Sequence, residues 1–436
     1  MDRQQLGVGV DQIFAQYIRP GSPGCAVAVY RDGEIVFRQG YGLANVENNV
    51  PNTPATLFNI GSESKQFTAM AILLLVAGGK LALEDDIRQH LPEAPDFGHA
   101  ITIYQLLHHT SGVRCSFPPL LMLGGWLEGD LVTNDDVFRL FLAQRELNFR
   151  PGDEHVYANM GYIILARIVE RVSGQPFAAF CREHIFAPLG MDNTVIQDSP
   201  FRLIPNRAQS YWLDDEGRVH NAPLADGVCG PTNVYTSVED LVLWDENFYT
   251  GRVGGMSLIK QMLQPGRLNN GQELTYACGL ATGPDHQHRD WSLVEHGGSH
   301  GGYASALVRF PELQLSTVVL FNVFNWQARH YALQVADLVL DTLPAAAPAV
   351  ETGDQDRPEP AVITLPETRL VAYSGLYFAA DRVALREIKY DAGHLHLSGI
   401  KLWPLTNQEF TLATDSDDRL HFATRADGRP VELQIV

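Results

Sequence analysis

Apolar residues run almost unbroken over positions 68–77, which predicts a buried helix too short to span a bilayer. Gly78-Gly79 ends the run. Upstream, residues 25–30 and 35–39 read as strands on either side of Arg31-Asp32-Gly33-Glu34. An Asp-Gly step between two apolar segments is a strong hairpin signal. From about residue 87 to 227 the pattern turns mainly helical, with long loops. Positions 135–143 and 160–172 carry helical spacing, and Gly174 is a natural stop for the second. Residues 237–249 predict another helix, with Ser237 as N-cap and Asp240 at the third position. Strands return after Leu274. Residues 304–310 and 315–321 form a second hairpin about Pro311-Glu312, and 331–343 reads as a closing helix. A helical region inserted between the early and late strands of one sheet is an α+β arrangement.

The character changes after residue 343. Positions 344–361 hold Ala345-Ala346-Ala347, four prolines and several acidic residues, a linker composition. Beyond it, short strands are expected at 373–378, 383–390, 394–397, 410–413, 420–424 and 431–435. Strands at this spacing predict a small β-barrel or sandwich over residues 362–436. Two domains result: 1–343 and 362–436.

The length of 436 residues and 45% hydrophobic content allow a large core. A net charge of -19 argues against nucleic acid and anionic membrane as partners, and an acidic cleft would suit a cationic substrate. Cys25, Cys115, Cys181, Cys229 and Cys278 are scattered, odd in number and without a CxxC pair, which fits a reducing compartment. Residues 1–19 carry Asp2 and Asp11 and lack the apolar core of a signal peptide. A cytoplasmic location is the expectation.

Ser62-Glu63-Ser64-Lys65 precedes the apolar helix. A serine and a lysine three apart at a helix start share a face, which brings an amine to a hydroxyl that needs a base. Taken alone, the pattern reads equally as an N-cap serine with a surface lysine. A second segment, Pro151-Gly152 through Tyr157-Ala158-Asn159, delivers a tyrosine and an asparagine just before a helix. A phenol shuttles protons when nearby cations lower its pKa, and Lys65 would be such a cation. Asn159 can donate and accept, so it would orient Lys65 and a substrate amide. Its plainer reading is a cap beside a buried aromatic. The third segment, Glu295-His296-Gly297-Gly298-Ser299-His300-Gly301-Gly302-Tyr303, places glycines where a strand should be, so another backbone can approach closely. A free N–H on that strand and the N–H of Ser62 would make an oxyanion hole. Its plainer reading is a flexible glycine loop.

Other residues read as less committed. Leu106 to Val113 is a helix end with a glycine cap, where one of His108 and His109 packs and the other is solvated. Glu63 faces solvent or the cleft, where it would bind a substrate ammonium. Trp126, with Leu120 to Met122 before it, reads as core in preference to a substrate lid. A zinc site from His286, His288, His296 and His300 with Asp285 and Asp290 is set aside, because the first two histidines sit in a polar loop.

Together, Ser62-Glu63-Ser64-Lys65, Tyr157-Ala158-Asn159 and His296-Gly297-Gly298 follow the order of the three signature motifs of the penicillin-recognising serine hydrolases, and the chain resembles that family over residues 10–343. Phe58-Asn59-Ile60-Gly61, Leu107 to Gly112, Pro151-Gly152 and Val234 to Leu241 support the match. The pattern is most similar to the branch of class C β-lactamases, D,D-carboxypeptidases, D-aminopeptidases and related esterases. The resemblance implies a β-lactamase-like α+β fold and no metal or organic cofactor. It makes Ser62 the acylated nucleophile and Lys65 the group that takes its proton or tunes Tyr157. Tyr157 becomes general base and then acid, and Asn159 a contact for Lys65 and the substrate amide. The N–H groups of Ser62 and Ser299 become the oxyanion hole, with Gly297 and Gly298 completing the third motif. His296 departs from the pattern, because many relatives have lysine there. Histidine is only a conditional cation. The expectation therefore moves from β-lactamase or carboxypeptidase toward hydrolysis of small peptides, amides or esters, with D-amino acids favoured. A carboxylesterase or transesterase, a weak β-lactamase or D,D-carboxypeptidase, and an inactive scaffold or filament are the alternatives. The C-terminal segment resembles the small barrels, lipocalin-like in outline, appended to D-aminopeptidases and to self-compartmentalising peptidases. The partner implied is a small-molecule or short-peptide substrate, and a homo-oligomer is allowed.

Overall fold

A computed structural model describes residues 3–17, 19–114, 130–214, 216–285, 291–325, 327–342, 365–379, 384–391, 394–397, 400–406, 408–411, 419–424 and 430–435. The expected linker, Trp126 with its apolar neighbours, His286, His288 and Asp290 lie outside these residues. The chain divides into two compact units, the first holding the described residues up to 342 and the second those from 365 onward.

The first unit is built on six antiparallel strands: β1 (Cys25–Arg31), β2 (Glu34–Tyr41), β3 (Ala281–Asp285), β4 (Trp291–His300), β5 (Tyr303–Phe310) and β6 (Leu315–Phe321). Their spatial order is β3-β4-β5-β6-β1-β2. Both predicted hairpins are present. The first turns on Asp32 and Gly33, with φ of 52° and 78°, the left-handed pair that a two-residue hairpin turn requires. β1 lies between β6 and β2, and its residues 25–30 are buried on both faces, which explains its unbroken apolar run.

Cys25, Val27 and Val29 point into a core with Leu6, Val10 and Phe14 from the N-terminus and Tyr331, Val335 and Val339 near the unit's end. Helices α1 (Arg3–Ile13) and α6 (Ala328–Leu340) carry most of those partners. The closing helix starts earlier than its pattern indicates, because its first turn, Ala328-Arg329-His330, is mostly polar. Between β2 and β3 the chain supplies α2 (Lys65–Ala77), α3 (Asn134–Ala143), α4 (Asn159–Ser173) and α5 (Val238–Thr250), of which α3 and α4 lie in the expected insertion. Gly174, at φ 73°, ends α4 as expected, and the Ser237 hydroxyl caps α5 by accepting from Asp240 N–H at 3.1 Å. α5 is tied to the sheet by a buried ion pair, Arg309 Nε to Asp245 Oδ1 at 2.7 Å, with Ser316 donating to the same oxygen at 2.8 Å. α2 is buried on nearly all sides and packs along α4. This is the β-lactamase-like α+β fold.

The second unit is a short helix, α7 (Glu367–Ala372), and seven strands: Gly375–Ala379, Ala384–Asp391, His394–Leu397, Ile400–Pro404, Glu409–Thr411, Arg419–Thr424 and Pro430–Ile435. Each strand pairs antiparallel with the next. Leu365, Leu370, Tyr373, Ile388, Leu395, Leu402 and Phe410 form its own core. Tyr373, expected to open a strand, instead caps α7, and the strand Ile400–Pro404 was not expected from the sequence. Among the described residues no helix is long and apolar enough to cross a membrane, and no cluster of side chains could hold a metal ion. Cys25, Cys181, Cys229 and Cys278 are buried and free.

Candidate active site

The strand Phe58–Asn59, paired with Val234–Thr236, leads the chain to one turn of 3₁₀ helix, Gly61–Ser64. In a 3₁₀ turn side chains at i and i+3 eclipse. Ser62 therefore stands over Lys65, and Lys65 Nζ donates to Ser62 Oγ at 3.0 Å. With the proton on the other partner, the same contact is the one a base requires. Lys65 is completely buried, and its amine also donates to the Pro231 carbonyl at 3.1 Å. It lies 4.7 Å from the ring centre of Tyr157 and 5.6 Å from that of Tyr162. Tyr157 is 41% exposed. Asn159 is the first residue of α4 and is half-buried.

The third segment is strand, not loop. β3 covers β4 only as far as Glu295. From His296 to His300 the turn that carries Ser62 takes the place of a strand on that edge. The approach depends on two glycines. A Cβ on Gly61, whose φ is +49°, would lie 2.5 Å from the Ser299 nitrogen. A Cβ on Gly298 would lie 1.9 Å from the Ile60 oxygen. The Ser299 nitrogen therefore stands beside the turn that carries Ser62.

His296 donates from Nδ1 to the Gly297 carbonyl at 2.6 Å, which leaves Nε2 to accept from the Tyr276 hydroxyl at 3.0 Å. Burial, and then the Lys65 ammonium, hold this imidazole well below its ordinary pKa. The third motif thus presents a neutral ring where a lysine would present a charge.

Two expectations are corrected. Glu63 faces neither solvent nor cleft: it is fully buried, and its carboxylate oxygens have no hydrogen-bond partner among the described residues. The alternation of the turn that exposes Ser62 drives its neighbour inward. Burial raises the Glu63 pKa to about 8, against the opposing pull of Ser305 and Arg309. His108 and His109 are both buried, so neither is solvated. His300 joins no metal-holding cluster among the described residues; its Nε2 pairs with Asp226 Oδ2 at 3.0 Å. From there hydrogen bonds continue inward. Asn233 donates to Asp226 Oδ1 at 2.6 Å, Asn59 donates to Asn233 at 2.7 Å, and Gly61 N–H donates to Asn59 at 2.8 Å. Asp226, Asn233, His109 and Tyr276 were not singled out in the sequence as site residues. Only His109 had a local signal, its place beside a glycine-capped helix end.

Residues 10–341 match the family described as Beta-lactamase. The chain belongs to this family. As a β-lactamase-family member it falls within the penicillin-recognising serine hydrolase superfamily, and it is a serine hydrolase by that membership. It is 28% identical over 404 residues to a penicillin-binding protein of Bacillus subtilis, covering 87% of this chain and 86% of that one. It is 30% identical over 326 residues to a D-aminopeptidase of Gluconobacter oxydans, covering 73% of this chain and 58% of the relative's length. An octameric penicillin-binding protein homologue from Pyrococcus abyssi shares the fold, with a TM-score of 0.69 at 24% identity over 98% of this chain and 97% of that one.

Proposed function

We propose that this β-lactamase-family protein hydrolyses amide bonds of small peptides or amino-acid amides, with D-residues favoured, through an acyl-enzyme on Ser62. The observation that carries the choice of substrate is His296, whose ring nitrogens are both engaged and whose pKa is depressed. A substrate carboxylate would meet no fixed cation there, which disfavours β-lactams and D,D-peptides. The D-aminopeptidase relative supports the same choice.

In this reading Ser62 Oγ attacks the carbonyl carbon while its proton passes to Lys65 or Tyr157. The N–H groups of Ser62 and Ser299 hold the oxyanion. Tyr157 protonates the departing amine, Asn159 holds the acyl amide against Lys65, and water then releases the acid. Gly61 and Gly298 leave the room that the turn needs to approach the strand, while Gly297 sits beside them without a close contact. An esterase with the same residues is the second reading, favoured by the 41% exposure of Tyr157, which leaves room for a bulky leaving group.

Turnover of D-alanine p-nitroanilide, p-nitrophenyl acetate and a chromogenic cephalosporin separates these readings. Amide turnover well above cephalosporin turnover is expected, and Ser62→Ala or Lys65→Ala should each reduce it by about 10³-fold or more. Ester turnover with no anilide turnover would exclude the peptidase. Wild-type rates in Lys65→Ala would exclude the mechanism.

A further inference from the structure

A phenol that exchanges protons with a hydroxyl and an amine must be held in place, and Tyr157 is exposed enough to need a restraint. One residue grips it from both sides. The carbonyl of His109 accepts from Val156 N–H at 3.0 Å, immediately before Tyr157. The imidazole Nδ1 of His109 accepts from Ala158 N–H at 3.1 Å, immediately after it. Between these two bonds the His109 ring lies against the Tyr157 ring, with centres 4.3 Å apart. The other side of the pocket is closed by Tyr276 and Tyr162, 4.8 Å and 5.1 Å from the same imidazole.

His109 is itself held in an unusual state. Its φ is +56°, a left-handed conformation that a non-glycine residue adopts at a cost. Next door, the Thr110 carbonyl accepts from Gly152 N–H at 2.7 Å, anchoring the same loop. Because Nδ1 receives a proton donor, the imidazole carries its hydrogen on Nε2, and that N–H is buried with no hydrogen-bond partner among the described residues. Protonating Nδ1 would set two donors against each other and release Ala158. Burial, followed by the Lys65 ammonium, keeps the ring neutral. A buried, strained, incompletely satisfied histidine is a costly way to fill core space. It is well explained as a clamp whose acceptor must stay unprotonated.

We propose that His109 is a positioning residue for Tyr157, fixing the phenol over Ser62 and Lys65 through its carbonyl, its Nδ1 acceptor and its ring face. This rests on the reading of Tyr157 as the general base. A misplacement of about 1 Å at such a group costs about 100-fold in rate.

The test is a double-mutant cycle on the full chain with p-nitrophenyl acetate. His109→Phe keeps a ring face and removes the acceptor. His109→Asn tolerates the left-handed backbone and can still accept from Ala158. In the wild-type background His109→Phe should lower kcat by about 100-fold with KM within about twofold, and His109→Asn should lose less. In a Tyr157→Phe background either change should alter kcat by less than about twofold, because the group being positioned is gone. Equal losses in both backgrounds, or no loss in the first, would overturn the proposal. If His109→Phe does not fold by circular dichroism, His109→Gly, which takes the left-handed backbone and lacks both the acceptor and the ring face, replaces it in the cycle by the same criteria. Wild-type kcat in Tyr157→Phe itself would refute the general-base reading, a different failure that the same cycle exposes.

Discussion

At the scale of single residues, the site is distinguished by charges held away from water. Lys65 is fully buried beside Ser62, and Glu63 is fully buried on the opposite side of the same turn. The folded protein holds a proton on Glu63 up to pH about 8, whereas the unfolded chain releases it near the ordinary value of 4.5. The stability associated with that proton is complete below pH 4.5 and is lost as pH rises through 8. A shift of this size corresponds to about 4 to 5 kcal/mol at most. Glu63→Gln should therefore flatten the fall of melting temperature between pH 5 and pH 8.5. Parallel pH profiles for the two proteins would show that Glu63 ionises normally in the fold. The motif spacing revealed Ser62 and Lys65 because it fixes which residues share a face. It could not reveal Glu63, since which neighbour of a nucleophile is buried depends on the sheet beneath the turn, residues 305–309, more than 240 positions away.

At the scale of elements, the close contact between the nucleophile turn and β4 sets the limits of change. A methyl group on Gly298 would strike the Ile60 carbonyl and the Ser305 hydroxyl, whereas one on Gly297 meets its nearest atom at an ordinary 3.6 Å. Gly298→Ala should cost about 1 to 3 kcal/mol in stability and lower kcat by about 100-fold. Gly297→Ala should leave the urea midpoint nearly unchanged, so equal destabilisation by the two would refute the steric account. Glycine density at 297–302 was visible in the sequence and correctly implied close approach. What approaches was not visible, because β4 loses its neighbour β3 only after Glu295, a fact of register. The same holds for His109. Beside Thr110-Ser111-Gly112 it reads as a helix end, and the loop it clamps lies 49 positions further on.

At the scale of the whole molecule, the two units are assembled differently. The first closes only when β1 meets β6, pairing Cys25 with Phe321 across almost the full length of the unit. In the second, every strand pairs with its neighbour in the chain. Long-range pairing is slow to form and local pairing fast. With separate cores, the units should melt in two calorimetric transitions, and Ser62 labelling by a fluorophosphonate should disappear with only one of them. A single cooperative transition would show that neither unit is stable without the other. The short apolar runs after residue 370 made most of the second unit's strands legible, while the missed strand Ile400–Pro404 shows how easily a strand is lost when only two residues separate it from its neighbour His394–Leu397.

The chain of bonds from Asp226 to Gly61 also bears on how the protein ages. Its two middle members, Asn233 and Asn59, are neutral amides whose orientation depends on their keeping an N–H donor. Slow loss of ammonia would turn Asn233 into a carboxylate facing Asp226 and pull the nucleophile turn out of alignment. That reaction runs fastest at asparagine followed by glycine, as at Asn270-Gly271 on an exposed turn. Asn59 precedes Ile60 and Asn233 precedes Val234, bulky neighbours that slow it. Chemical wear in storage should therefore collect on the surface loop long before it reaches the residues that aim Ser62.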